Sequence, residues 1–157
     1  MCNPKINVLP EPTNCHVCNS TGVQFISNEF MFKTAKGKWP YVWVCKDCGA
    51  MVGTHENTRI PLGCMADAET RKARSRAHKV FDKIWYRLNL VSRTHAYMSL
   101  SRAMGSNFQD THIGLMDKEQ CEFVITWSKE FIKGIQQDNK RKSLYLKGKK
   151  TTVRGKK

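Results

Sequence analysis

Two pairs of cysteines carry the clearest chemistry in the sequence: Cys15-x-x-Cys18 and Cys45-x-x-Cys48, with 26 residues between them. Two thiolates three positions apart on a turn grip one ion from the same side. A hairpin that brings the second pair round completes a tetrahedron of sulfur ligands, the arrangement that suits Zn2+. A disulfide or a redox pair is the competing reading. Four thiolates close the coordination shell, so a zinc held this way is structural, with no position at which to polarise a substrate or activate water. Its binding free energy, about 10–16 kcal/mol in zinc-finger peptides, becomes folding free energy for a unit too small to rely on its own core. His16, inside the first pair, and His55, beyond the second, are the rival ligands. Four sulfurs leave them no place, so His16 is expected to face outward and His55 to sit in a loop or core. Gly22 and Gly49 are expected to give the two turns their backbone freedom.

The second signal is charge. The chain has 157 residues with 27 Lys+Arg against 13 Asp+Glu, a formal charge of +14. Nine basic residues from Lys140 onward meet no acid, and without them the balance is 18 basic to 13 acidic. A second concentration comprises Arg71, Lys72, Arg74, Arg76, Lys79, Lys83 and Arg87, with Asp82 alone opposing them. Clustered cationic charge suits a polyanion, and nucleic acid is the commonest. Those seven residues, with Lys140, Arg141 and Lys142, are the predicted phosphate contacts; a solvated helix face with a solubilising tail is the plainer alternative. Of the aromatics Phe30, Phe32, Trp39, Tyr41 and Trp43, Trp39 is the predicted exposed member, placed to stack on an unpaired base.

Catalysis has thinner support. The sequence contains no glycine-rich phosphate loop, no G-x-S-x-G elbow and no H-E-x-x-H pair. Arg74, His78 and Asp82 recur at four-residue spacing along one helical stripe, with His112 in a loop able to join them. Such a set can bind and act on a phosphodiester. With one carboxylate in reach it falls short of what metal-dependent phosphoryl transfer generally uses. The expected arrangement is therefore an Asp82–His78 contact with the arginines paired to the ribbon, and a small nuclease is the last-ranked function.

The elements that must position these residues follow from pattern. Val23–Ser27, Glu29–Lys33 and Tyr41–Val44 are rich in β-branched and aromatic residues, with a turn at residues 35–38 and Pro40 just ahead of the last strand. A long helix starts at the N-cap Asp67 and runs to Arg87, with Ala73, Ala77, Val80, Phe81, Ile84, Trp85 and Leu88 along one apolar face. A second spans about 93–104, between Ser92 and Gly105. A third starts at the capping box Asp117-x-x-Gln120, and its stripe of Cys121, Val124, Ile125, Ser128, Phe131 and Ile132 ends near Ile135. The predicted organisation is an N-terminal extension (1–12), a zinc ribbon (13–56), a helical domain (57–137) and a flexible basic tail (138–157). The fold class is α+β: a four-cysteine ribbon with two knuckles and an antiparallel hairpin, then three helices. The N-terminus lacks a signal-like apolar run and no apolar stretch is long enough to span a membrane, so the expected location is the cytoplasm.

Beyond the cysteine spacing, the sequence contains Tyr41-x-x-x-Cys45-x-x-Cys48-Gly49-Ala50-x-Val52-Gly53-x-His55, Pro61-Leu62-Gly63, Ala66-Asp67, Arg71-x-x-Arg74-x-x-Ala77-His78-x-x-Phe81-Asp82-x-x-Trp85, Ala96-Tyr97-x-x-Leu100 and His112-Ile113-Gly114. In these it resembles the zinc-finger-containing domain family found mainly in bacteriophages and prophages, over about residues 13–126. The resemblance implies a zinc ribbon followed by helices in a phage context, and brings no catalytic residue with it. The function expected from the residues is non-enzymatic nucleic-acid binding. The alternative partner is a host protein machine, a polymerase or nuclease.

Overall fold

The computed structural model describes the backbone of residues 9–154 and the side chains of residues 9–143. The predicted extension 1–12 and tail 138–157 thus lie partly outside the described residues. β1 (Val23–Ser27) and β2 (Tyr41–Cys45) form an antiparallel hairpin in register from Val23↔Cys45 to Ser27↔Tyr41. β3 (Met51–Gly53) pairs with the other edge of β2, giving the order β1-β2-β3. Glu29–Lys33 is not extended. It forms one helical turn, α1 (Glu29–Phe32), closed by Lys33 in the left-handed region at φ 62°. Strand pairing stops at Ser27↔Tyr41, so the backbone between has no neighbouring strand and meets its hydrogen bonds internally.

Pairing also continues past residue 56, through Thr54↔Pro61 and Met51↔Ala66, so the chain up to the start of the helices is folded back on the sheet. The ribbon's small core gathers Trp43, Val52, Ala50 and Met65 beside Cys15 and Cys45.

α2 (Ala68–Phe81) starts as the sequence predicts: the Asp67 carboxylate accepts the Thr70 N–H at 2.7 Å. Lys83–Arg87 continue it as a π-turn that buries Ile84. α3 (Arg93–Met104) is capped by the Ser92 hydroxyl, which accepts the His95 N–H at 3.2 Å, and is ended by Gly105 at φ 62°. α4 (Lys118–Arg154) opens on the reciprocal capping box, Gln120 N–H to Asp117 Oδ1 at 2.8 Å and Asp117 N–H to Gln120 Oε1 at 3.0 Å.

The small side chains of Ala73 and Ala77 on α2, and of Cys121 and Ser128 on α4, are all fully buried. They let these two helices approach closely around Phe81, Leu100, Ile113 and Val124. Ser128 satisfies its hydroxyl by donating to the Val124 carbonyl at 2.6 Å. The α4 stripe ends at Ile135 as expected, and every described side chain from residue 136 to 143 is exposed. The backbone stays helical to Arg154, where the sequence predicts a flexible tail from residue 138.

The ribbon and the helices meet at one joint. A Cβ on Gly63 would lie 2.1 Å from the Gly114 carbonyl oxygen, so only glycine permits this approach. Cys64 N–H donates to that same Gly114 oxygen at 3.0 Å.

Candidate metal centre and the charged faces around it

The hairpin ends bring the four cysteines together through two turns of matching geometry. In the first, Cys15 N–H donates to Ser20 O at 2.8 Å and Asn19 N–H to Cys15 O at 2.9 Å; in the second, Cys45 N–H donates to Ala50 O at 2.8 Å and Gly49 N–H to Cys45 O at 3.0 Å. The residue after each second cysteine is left-handed, Asn19 at φ 59° and Gly49 at φ 72°. Asn19, not Gly22, therefore plays the part of Gly49 in the first turn; asparagine tolerates this region better than most residues. Ser20 Oγ, hydrogen-bonded to the Asp47 carboxylate, ties one turn to the other.

The four sulfurs lie within 4.8 Å of one another, with Cys15–Cys48 at 3.5 Å and Cys18–Cys45 at 3.6 Å. A zinc tetrahedron with bonds of about 2.3 Å has sulfur–sulfur edges of about 3.8 Å, so the four side chains already sit near the spacing the ion requires. Each sulfur also has the backbone N–H two residues on directed at it: Val17 to Cys15, Ser20 to Cys18, Asp47 to Cys45 and Ala50 to Cys48. N–H donors at sulfur favour thiolate. The Cys48 and Asp47 N–H groups bring Cys45 down to about 7. At Cys48 the Ala50 N–H is outweighed by burial and by the other three sulfurs, which push it up to about 12. Four adjacent thiols cannot all ionise by themselves; a dication removes that conflict and turns the set into four ligands. These residues fit one structural Zn2+.

His16 stands clear of the cluster: its Nδ1 accepts the Met65 N–H at 2.9 Å, and burial lowers its pKa. His55 lies in the turn before Ile60, where its N–H donates to the Ile60 carbonyl at 2.9 Å.

The zinc-finger-containing domain family matches residues 11–131, which include all four cysteines. The chain belongs to that family. No curated protein and no solved structure matches it. In this zinc-finger-containing domain the matched region spans ribbon, joint and helical core together. Two motifs far apart in the sequence, Pro61-Leu62-Gly63 and His112-Ile113-Gly114, meet at the joint.

The predicted basic helix divides into two faces with different fates. At about 100° per residue, Lys72, Arg76 and Lys79 share an arc on one side of the buried stripe, and the exposed Lys83 and Arg87 extend the run through the π-turn. Arg76 pairs with Glu122 and Lys118 with Glu69, bordering a shallow groove of about 590 Å³ lined also by Lys72 and Ser75. Among the described residues, Lys72, Lys79, Lys83 and Arg87 make no ion pair.

Arg71 and Arg74 lie on the other side. Arg71 Nε donates to the Asp67 carbonyl at 3.3 Å. Arg74 turns inward, donating from Nε to the Met116 carbonyl at 2.8 Å and from Nη1 to the Cys64 carbonyl at 2.7 Å. It bridges the ribbon's exit to the start of α4, so two of its donors are taken and it leaves the set facing phosphate. His78 and Asp82 do meet, Nδ1 to Oδ2 at 3.5 Å, but Arg74 does not complete the nuclease triad with them. His112 packs on the Tyr97 ring at 5.4 Å between centroids, with the Arg93 guanidinium 5.1 Å from the same ring. Burial lowers His112, and the charges of Arg93 and His78 lower it further. Arg93 and Tyr97, absent from the sequence-derived cluster, are brought to it by α3.

Trp39 is half-buried, donating its indole N–H to Thr54 Oγ1 at 2.9 Å and packing 4.8 Å from the Tyr41 ring. Phe30, Phe32 and Tyr41 are the exposed members of that aromatic set instead. Lys140, Arg141 and Lys142 are exposed on α4. No helix among the described residues is long and apolar enough to cross a membrane.

Proposed function

We propose that this domain is a non-enzymatic nucleic-acid-binding module, with the zinc ribbon as scaffold and the Lys72–Arg87 stripe as the surface laid against phosphates. The observation that carries the reading is the run of exposed cations Lys72, Lys79, Lys83 and Arg87 on one side of α2 and its π-turn, none of them neutralised by an ion pair among the described residues. Long-chain cations left uncompensated on one rigid face match a polyanion's repeating charge. Phosphate contacts of this kind fix position without reading bases. Lys140, Arg141 and Lys142 supply a second, peripheral attraction.

The test is capture by the full-length protein from a bacterial lysate with and without prior nuclease digestion, repeated with the Lys72→Ala/Lys79→Ala/Lys83→Ala/Arg87→Ala variant. Recovery of nucleic acid that is lost in the variant and after digestion supports the proposal. Retention of a protein partner that survives digestion favours the host-machine alternative.

A further inference from the structure

The distal end of the β1–β2 hairpin serves neither the metal site nor the helical core, yet its backbone is braced at several points. Asn28, buried, clamps the loop twice: its amide nitrogen donates to the Lys36 carbonyl and its amide oxygen accepts the Lys36 N–H, both at 3.0 Å. Its own N–H donates to the Pro40 carbonyl at 2.7 Å, and Lys33 N–H closes α1 on the Glu29 carbonyl at 2.8 Å. Bracing of this kind holds the backbone that carries the side chains of α1, and those side chains are not packed. Phe30 is 53%, Phe32 47% and Met31 37% exposed, and α1 buries no residue at all. Lys33, Lys36 and Lys38 are exposed beside them without ion pairs among the described residues, and Glu29 is the only acid on this turn.

Contiguous exposed apolar side chains mark an interaction surface. The charge around these excludes an acid-seeking or neutral groove as the best fit and points to a polyanion. The rings narrow it further. Tyr41, at the same end of the hairpin, joins a ladder of aromatic contacts, 4.8 Å to Trp39 and 5.4 Å to Phe25 in a stacked arrangement. The exposed Phe30 and Phe32 rings offer a flat ligand such as a nucleobase a stacking contribution beyond the area they bury, which an acyl chain does not gain. Bases within a duplex have no face to offer.

We infer that the hairpin end is a separate contact for unpaired nucleotides, with Phe30 and Phe32 stacking on bases while Lys33, Lys36 and Lys38 take the adjoining phosphates. It rests on the nucleic-acid reading above and adds to it a preference for single strands.

Fluorescence anisotropy of the full-length protein with an oligothymidylate and with a duplex of equal length tests it. Phe30→Ala/Phe32→Ala should weaken oligothymidylate binding about ten- to a hundredfold and leave duplex affinity and zinc content unchanged. Phe30→Trp should retain binding and show quenched indole emission in the complex. Replacing Lys33, Lys36 and Lys38 by Ala should lower the salt slope for the single strand by roughly 2. Equal single-strand affinity for the double variant and the parent overturns the inference while leaving the stripe proposal intact. So does an effect confined to vesicles of anionic phospholipid. Failure of the parent protein to bind either oligonucleotide at low salt overturns both.

Discussion

Arg74→Ala should cost stability before it costs binding. The guanidinium makes two short bonds, to the Cys64 and Met116 carbonyls at 2.7 and 2.8 Å, across the joint between ribbon and helices. A hydrogen bond from a charged donor contributes about 1.5–3 kcal/mol, and its loss strands the acceptor when that acceptor is buried. Taking the lower figure for each bond, because Arg74 is only half-buried, the expected loss is about 3 kcal/mol, or some 10 °C in Tm for a domain of this size. Arg74→Lys keeps the charge but not the fork, and should recover less than half of this. Urea unfolding of the zinc-loaded protein, followed by helical circular dichroism, gives the stability; anisotropy with a duplex gives the affinity. An unchanged unfolding midpoint together with tenfold weaker nucleic-acid binding would refute the reasoning and return Arg74 to the phosphate surface.

Elemental analysis should find one zinc per chain, and none after Cys45→Ser/Cys48→Ser; chelation should release the ribbon while much of the helical signal persists, because the two hydrophobic clusters are separate. His16→Ala should keep its zinc yet lose about 1 kcal/mol, since it removes only the acceptor of the Met65 N–H; loss of the metal would make His16 a ligand. Burial lowers His112 and His16, so the unfolded chain takes up protons more readily. Stability that is full above about pH 6.5 should then fall as the pH drops through the lowered folded-state values, and His112→Gln should flatten that decline in an unfolding series against pH. Gly63→Ala, whose Cβ would meet the Gly114 oxygen at 2.1 Å, should destabilise by at least about 3 kcal/mol in the same urea assay.

How far the sequence could be read depended on whether a feature was local. Spacing alone identified the cysteine set, and side-chain capping rules located Asp67, Ser92 and the Asp117–Gln120 box, because each is decided within a few residues. The conformation of α1 was missed because Phe-Met-Phe suits a strand by composition, and only the end of pairing at Ser27↔Tyr41 turns it into a helix. Arg74 pairs with the ribbon, as the helical spacing leads one to expect, at the Cys64 carbonyl; its second acceptor, the Met116 carbonyl, comes from a segment whose approach no periodicity announces. Trp39 was judged exposed for the same reason, its partner Thr54 lying in the chain beyond β3. The split of the basic helix into a bridging side and an open side was present in the helical spacing. It acquires meaning only once α4 shows which side it covers.

Affinity for duplex DNA as a function of salt, compared between the full-length protein and the Lys72→Ala/Lys79→Ala/Lys83→Ala/Arg87→Ala variant, tests the central claim most directly. Counterion release makes the logarithm of affinity fall with the logarithm of salt at about 0.9 per neutralised phosphate. The stripe should therefore account for a slope difference of roughly 3 to 4, with zinc content and unfolding midpoint unaltered. Parallel lines for the two proteins, or no binding by the parent at the lowest salt, would contradict it.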